Sequence, residues 1–198
     1  MTLDRFYPIF DSLDWLARTL PLGVKLAQLR IKDRSEGELR AIVAPALALC
    51  RRHGATLVVN DHWRIAIDAG CDWVHLGQED LDDADLAAIR RAGLKLGLST
   101  HDHAELDRAL ACAPDYVALG PVYPTILKKM KWERQGLERV REWKRLIGDL
   151  PLVAIGGMSV ARAPGAFEAG ADIVSAVTDI TLAEAPEARV RQWLEATR

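Results

Sequence analysis

One unit recurs along the chain: a short apolar run that predicts a buried strand, then a segment in which apolar residues return every three or four positions. Eight such runs are present, at residues 6–10, 25–31, 56–60, 73–77, 95–99, 116–120, 152–156 and 173–177. The segments between them start with acidic residues and end with glycine, which indicates helices. The stretches "AGCDWVHLG", "CAPDYVALG" and "AGADIVSAV" resemble one another, each leading from a helix end through Asp into a strand.

Eight strand and helix units without an interruption predict an α/β fold, a (β/α)8 TIM barrel that forms a single domain over residues 1–198. An open doubly wound sheet is the main alternative, because it has the same alternation and differs only in strand count. Pro45 lies inside the first long helical segment and predicts a kink or a break there.

The composition argues against several functional classes. The formal net charge of -2 offers no general attraction to nucleic acid or acidic membranes, so any anion site must be local. No apolar stretch approaches the roughly 18 residues of a membrane span, and the N-terminus lacks the pattern of a signal peptide. Cys50, Cys71 and Cys112 are scattered singly, without the spacing of a zinc site or a disulfide framework. We expect a cytoplasmic protein without nucleic-acid or membrane partners, and the sequence leaves its oligomeric state open.

Polar residues collect where the predicted strands end. A TIM barrel places its chemistry at the carboxyl ends of the strands, so polar residues there carry more weight than elsewhere. From the second strand to the eighth, these ends read "QLRIK", "NDH", "HLGQED", "STHDH", "GPVYPT", "IGG" and "AVTD". One rim of the barrel should therefore carry amides, cations and carboxylates, which core packing alone does not require.

These motifs resemble those of the thiamine phosphate synthase family. "QLRIK", "VVND", "VHLGQED", "GPVYPT" followed by Lys128, and "AIGG" stand in the family's order and approximate spacing, from about Lys25 to Val177. The resemblance implies a (β/α)8 transferase that joins 4-amino-2-methyl-5-hydroxymethylpyrimidine diphosphate to a thiazole phosphate. The products would be thiamine phosphate and pyrophosphate, and both substrates are small molecules.

Two aspartates are candidate ligands of Mg²⁺. Asp61 and Asp80 follow the neighbouring third and fourth strands, so their oxygens can converge on one hard divalent cation. Such a cation neutralises a diphosphate leaving group. The alternative is that both residues cap the helices that follow them, since Asp is a favoured N-cap. Glu79 lies beside Asp80, and the family spacing selects Asp80.

A second group of residues is assigned by the resemblance to the pyrimidine diphosphate. Gln28, Arg30 and Lys32 alternate along one predicted strand end, so they should point the same way and offer donors to phosphate or to a heterocycle. The whole predicted set is Gln28, Arg30, Lys32, Asn60, Ser99 and Lys128. Within it, Ser99 and Lys128 are the predicted catalytic residues, because the Lys128 ammonium would meet the departing pyrophosphate.

The segment after the sixth strand, "GPVYPTILKKMKWERQGLERV", carries five Lys or Arg residues. Taken alone, such a run is usually a solvated loop. We assign a role only to Lys128; the other four, Lys129, Lys131, Arg134 and Arg139, are expected to solvate the loop and the next helix.

The thiazole phosphate is expected at the ends of strands six to eight, where TIM barrels often bind phosphate on backbone amides. The predicted contacts are Thr125, Gly157, Val177 and Thr178. Two residues depart from the family pattern. Leu127 stands where a second threonine is usual, so that hydroxyl contact is lost or replaced by a backbone amide. Thr178 stands where serine is usual and keeps the hydroxyl.

Three histidines, His75, His101 and His103, lie near the predicted strand ends and receive no catalytic role, because such residues more often pack or cap. Two alternative functions stay open. A thiazole tautomerase shares the barrel, but its reaction needs neither Mg²⁺ nor a cationic side chain that binds diphosphate. A catalytically silent protein that binds thiazole or thiamine phosphate for regulation is the other, and Leu127 is its best support.

Overall fold

Eight parallel strands pair side by side and the eighth returns to the first, so the sheet closes into a barrel. The computed structural model describes residues 3–125 and 134–198. Its strands are β1 (Phe6–Phe10), β2 (Leu26–Leu29), β3 (Thr56–Asn60), β4 (Trp73–Leu76), β5 (Lys95–Thr100), β6 (Tyr116–Leu119), β7 (Leu152–Ala154) and β8 (Ile173–Ala176). Closure between β1 and β8 rules out the open doubly wound sheet and confirms the predicted (β/α)8 barrel.

Helices cover the outside of the barrel between consecutive strands. They are α1 (Leu13–Thr19), α2 (Glu36–Arg52), α3 (Trp63–Asp68), α4 (Asp80–Asp83), α5 (Leu86–Arg91), α6 (His103–Ala111), α7 (Gly136–Ile147), α8 (Ala163–Glu168), α9 (Thr178–Thr181) and α10 (Pro186–Ala196). In the described part of the chain, no helix is both long enough and apolar enough to cross a membrane.

Several sequence predictions were wrong in detail. Most strands end one to two residues earlier than predicted, because their last residues turn out of the sheet into the loops of the rim. Arg30 and Lys32 therefore lie in a loop beyond the end of β2 at Leu29. Pro45 does not break α2, whose buried face, including Val43 and Leu47, continues on both sides of the proline.

Apolar side chains form two separate layers. The larger layer lies between the sheet and the helices. The smaller one fills the barrel interior with Tyr7, Leu26, Val58, Trp73, Tyr116, Ala118, Val153 and Ile173. Seven strands contribute to this inner cluster, and β5 contributes none. The alternation of side chains along each strand explains the division.

The gap that β5 leaves is occupied by Tyr116. Gly97 lies opposite Tyr116 in the register of β5 and β6, and a Cβ atom on Gly97 would overlap the tyrosine ring. The Tyr116 side chain is fully buried and stacks on His75 with ring centroids 5.6 Å apart. The missing side chain at Gly97 therefore lets one large aromatic ring cross the barrel interior.

We predict that Gly97→Ala lowers the free energy of unfolding by about 1–3 kcal/mol, because the added methyl overpacks a closed interior. Chemical denaturation of the wild type and the variant measures this. Gly37→Ala is the matched control: Gly37 lies in α2 with open space around it, so its replacement should be neutral or slightly stabilising. Equal effects at the two positions would contradict this packing.

Candidate active site

The upper interior of the barrel is polar, unlike the layer below it. Gln28, Asn60, His75 and Ser99 come from four neighbouring strands and face inwards by the alternation that also places Leu26, Val58 and Trp73 there. Gln28, Asn60 and His75 are buried, with 1%, 5% and 7% of their surface exposed. Ser99 is partly exposed at the mouth. These four polar side chains therefore meet where the strands end. Gln28, Asn60 and Ser99 were predicted as site residues from the sequence, and His75 was not.

A chain of hydrogen bonds crosses this interior. The Gln28 Nε2 donates to the Tyr7 hydroxyl at 2.8 Å, and that hydroxyl lies 3.0 Å from the Tyr116 hydroxyl. The Tyr116 hydroxyl lies 2.8 Å from His75 Nδ1, and His75 Nε2 lies 2.8 Å from Ser99 Oγ. Five side chains from five different strands are joined in this way.

His75, Tyr7 and Tyr116, the titratable residues of this hydrogen-bond chain, are uncharged near neutral pH. Burial lowers the pKa of His75 to about 4, with smaller and opposed influences of Asp61 and Arg30. Burial also raises the pKa of Tyr7 and Tyr116 above their ordinary value. The mouth therefore offers a substrate ring hydrogen-bonding groups without formal charge.

Asn60 has a buried amide donor without a partner among residues 3–125 and 134–198. Its Nδ2 makes no hydrogen bond with the part of the chain that the structure describes. Buried polar groups are normally paired, so an unpaired donor at the mouth of a barrel indicates a place for a ligand atom. Gln78 Oε1 and Ser175 Oγ are the other two such atoms among the described residues.

A pair of carboxylates lies on the rim beside this neutral interior. The pKa of Asp80 is raised by its partial burial first and then by the negative charge of the neighbouring Asp61 carboxylate. Lys32 Nζ lies 3.1 Å from Asp61 Oδ2 and offsets part of the repulsion. Asp61 itself has a left-handed backbone with φ of 62°, an uncommon conformation outside glycine that occurs often at functional sites.

Neither aspartate caps a helix. Helix α3 begins after His62 without a side-chain cap, and α4 begins at Asp80 itself. Asp80 Oδ2 accepts a hydrogen bond from the Gly77 amide at 3.1 Å, which holds the carboxylate towards the strand end. The capping interpretation of Asp61 and Asp80 is therefore wrong.

The donor set at this rim suits Mg²⁺ better than zinc. Among residues 3–125 and 134–198, no group of three or more His, Cys, Asp or Glu side chains is arranged around one metal position. Mg²⁺ is usually held by one or two carboxylates, with water and substrate phosphate oxygens completing its shell. Asp61 and Asp80, two carboxylates in repulsive contact, fit that requirement.

The loops after β6 and β7 are joined backbone to backbone. The Val122 amide donates to the Ile155 carbonyl at 2.9 Å, and the Tyr123 amide donates to the Gly156 carbonyl at 3.0 Å. Gly157 has φ of 62°, and a Cβ atom there would lie 2.8 Å from the Tyr123 carbonyl oxygen. The absence of a side chain at Gly157 thus allows the two loops to approach.

Three more of the predicted residues, Arg30, Thr125 and Thr178, lie on the same rim. Thr125 is half-buried in the loop after β6, and Thr178 begins α9 directly after Val177 at the end of β8. Arg30 is exposed beyond β2. Lys128 and Leu127 lie outside the described residues.

The two histidines after β5 have structural partners. His101 Nδ1 lies 2.7 Å from Glu105 Oε2, and His103 Nε2 lies 2.8 Å from Glu142 Oε1. His75 differs, because it belongs to the polar interior. Sequence reasoning gave it no role and missed Tyr7 and Tyr116 altogether. The inward alternation of these residues on their strands was the available signal.

Comparison with known proteins decides the family. The profile of the family described as thiamine monophosphate synthase matches residues 6–180. The chain belongs to this family. A thiamine-phosphate synthase of Rhizobium etli is 64% identical over 197 residues, which cover 100% of this chain and 97% of that protein. One from Cronobacter sakazakii is 49% identical over 183 residues, 92% of this chain and 86% of that protein.

A solved structure supports the assignment to the thiamine monophosphate synthase family. Thiamine phosphate pyrophosphorylase from Pyrococcus furiosus superposes with a TM-score of 0.87 at 26% identity, covering 98% of this chain and 95% of that one. A 3-hexulose-6-phosphate synthase superposes with a TM-score of 0.70 at 16% identity, covering 98% of this chain and 100% of that one, which shows the barrel fold alone. The family predicted from the sequence motifs is confirmed.

For this member of the thiamine monophosphate synthase family, we predict that Asp80→Asn stabilises the metal-free protein at neutral pH. Because the pKa of Asp80 is raised in the folded state, its ionised form opposes folding, and stability falls as the pH rises through that pKa. The gain should be below about 1 kcal/mol, since the pair is partly open to solvent. It should shrink in mild acid, where the wild-type carboxyl is neutral.

Chemical denaturation in the presence of a chelator measures this difference. Asp83→Asn is the matched control, because Asp83 ends the same short helix with an exposed side chain and carries the same charge. A destabilised Asp80→Asn, or an equal gain in Asp83→Asn, would contradict the repulsion between Asp61 and Asp80.

Proposed function

We propose that the protein joins 4-amino-2-methyl-5-hydroxymethylpyrimidine diphosphate to thiazole phosphate at the mouth of its barrel, with Mg²⁺ held by Asp61 and Asp80. Membership of the thiamine monophosphate synthase family and the full-length relatives make it a transferase of thiamine biosynthesis. The single observation that carries the finer proposal is the carboxylate pair beside Lys32, adjoining a neutral polar interior.

The charged half of the site is suited to the diphosphate. Mg²⁺ bound by the two aspartates would neutralise the negative charge that develops on the leaving group. Lys32 is already at the rim, 3.1 Å from Asp61, and Arg30 lies in the same loop, so both can donate to phosphate oxygens. We assign Lys128, from the segment between β6 and α7, to the departing pyrophosphate.

The neutral half of the site is suited to the pyrimidine ring. Gln28, Asn60 and Ser99 can hydrogen-bond an aminopyrimidine without placing a charge beside it. An electron-rich ring in this position can stabilise a methylene cation while the carbon–oxygen bond breaks. The thiazole nitrogen would then attack that carbon. This dissociative route requires no nucleophile from the protein.

We assign the thiazole phosphate to the loops after β6, β7 and β8. Thr125 and Thr178 offer hydroxyl groups there, and Gly157 and Val177 offer backbone amides at the position where barrels of this class often hold phosphate. Leu127 supplies no hydroxyl, so we expect backbone amides to replace that contact.

We also propose that the reaction takes place in the cytoplasm. Cys50 and Cys71 are free and buried, and burial raises the pKa of their thiols to about 12 and about 11. Such thiols are inert core residues, as expected in a reducing compartment.

Formation of thiamine phosphate from the two substrates tests the proposal. Product should appear only with a divalent cation, and Asp61→Asn should lower turnover at least about a hundredfold, the effect of losing a metal contact worth roughly 3 kcal/mol. Asp83→Asn, which removes the same charge nearby, should keep wild-type turnover. Binding of both substrates without release of pyrophosphate at any Mg²⁺ concentration would instead support the silent regulatory protein.

A further inference from the structure

The orientation of the Gln28 amide sets the direction of the buried hydrogen-bond chain. Gln28 Nε2 can only donate, so the Tyr7 hydroxyl accepts that bond. The Tyr7 hydroxyl proton then needs an acceptor, because a buried hydroxyl is rarely left unpaired. Among the described residues, the Tyr116 oxygen at 3.0 Å is its only bonded neighbour besides Gln28. Tyr7 therefore donates to Tyr116.

The order of donors continues through His75 to the mouth. The Tyr116 proton is left to be donated to His75 Nδ1 at 2.8 Å, so Nδ1 carries no proton. The neutral ring then holds its proton on Nε2 and donates it to Ser99 Oγ at 2.8 Å. Ser99 has accepted a bond and keeps its own proton for another acceptor.

We propose that the Tyr7–Tyr116–His75 chain determines which hydrogen-bonding groups the barrel mouth presents, with Ser99 as a donor and the Gln28 carbonyl oxygen as an acceptor. Tyr7 and Tyr116 are positioning residues, since they act through Gln28, His75 and Ser99. Resting on the proposed function, this assigns them the selection of an aminopyrimidine, whose ring nitrogens accept and whose exocyclic amine donates.

The selection has a physical basis in the cost of unpaired groups. The Gln28 amide cannot turn alone: with its carbonyl oxygen towards the Tyr7 hydroxyl, every donor would reverse as far as Ser99, and His75 would carry its proton on Nδ1. A 4-oxo pyrimidine places an acceptor where the amine donates. It would face the Gln28 carbonyl oxygen with no proton between them, which a buried site disfavours strongly.

Nitrogen NMR of protein labelled with ¹⁵N-histidine reads the direction of the chain without any substrate. His75, assigned with a His75→Gln variant, should show an unprotonated Nδ1 and a protonated Nε2. Tyr116→Phe removes the donor to Nδ1 and should alter that signature. A His75 ring protonated at Nδ1 in the wild type would overturn the proposal.

Steady-state kinetics tests the consequence for the substrate. Tyr116→Phe should raise the KM for the pyrimidine diphosphate roughly five- to tenfold, as expected for one hydrogen bond, and leave that for the thiazole phosphate within about twofold. Equal changes in the two KM values, or no change in either, would contradict the positioning role of Tyr116. Tyr7→Phe should lower the preference for the amino over the 4-oxo diphosphate at least about tenfold, measured by competition.

Thr100→Val separates this effect from a general loss of stability. Thr100 is fully buried on the outer face of β5, next to Ser99, and bonds Trp143 Nε1 at 2.9 Å and the Ala118 carbonyl at 3.0 Å. Its replacement should cost stability and leave the His75 signals and both KM values unchanged. A wild type without coupling activity would refute the proposed function, whereas the NMR result would still decide the direction of the chain.

Discussion

The position of the Tyr116 ring links the core of this barrel to its mouth. The ring lies over Gly97, stacks on His75 and meets Tyr7 edge to face, with ring centroids 6.1 Å apart. Its hydroxyl joins the two halves of the polar chain. Because the same side chain fills the interior and orients the groups above it, packing in the barrel and polarity at the mouth depend on each other.

The mouth is divided into a neutral region and a charged rim. Burial keeps His75, Tyr7 and Tyr116 uncharged. Asp61 and Asp80 remain partly exposed where β3 and β4 end, and Lys32 is exposed beyond the end of β2. This division would suit the proposed dissociative reaction, in which a cationic carbon would form against neutral groups and pyrophosphate would leave towards cations. The contact between Asp61 and Asp80 opposes folding in isolation, and a divalent cation would relieve it.

Much of this could be predicted from the sequence. The strand and helix period predicted the barrel, and strand order alone placed Asp61 near Asp80, because neighbouring parallel strands end together. The polar chain could not be predicted, since its members are far apart along the sequence: Tyr7 and Tyr116 are separated by 109 residues, and Tyr116 and His75 by 41. Considered one at a time, Tyr7, His75 and Tyr116 each resemble an ordinary core residue. That Asp61 and Asp80 do not cap helices likewise depends on local backbone geometry, which residue type does not reveal.

The claim that the paired carboxylates hold the catalytic cation is tested most directly by calorimetric titration of Mg²⁺ into chelator-treated protein saturated with pyrophosphate. The wild type should bind Mg²⁺ in this complex beyond what free pyrophosphate takes up, and the double variant Asp61→Asn with Asp80→Asn should not. Thermal unfolding of both proteins without metal would verify that the double variant is folded. Unchanged Mg²⁺ binding in a folded double variant would contradict the account.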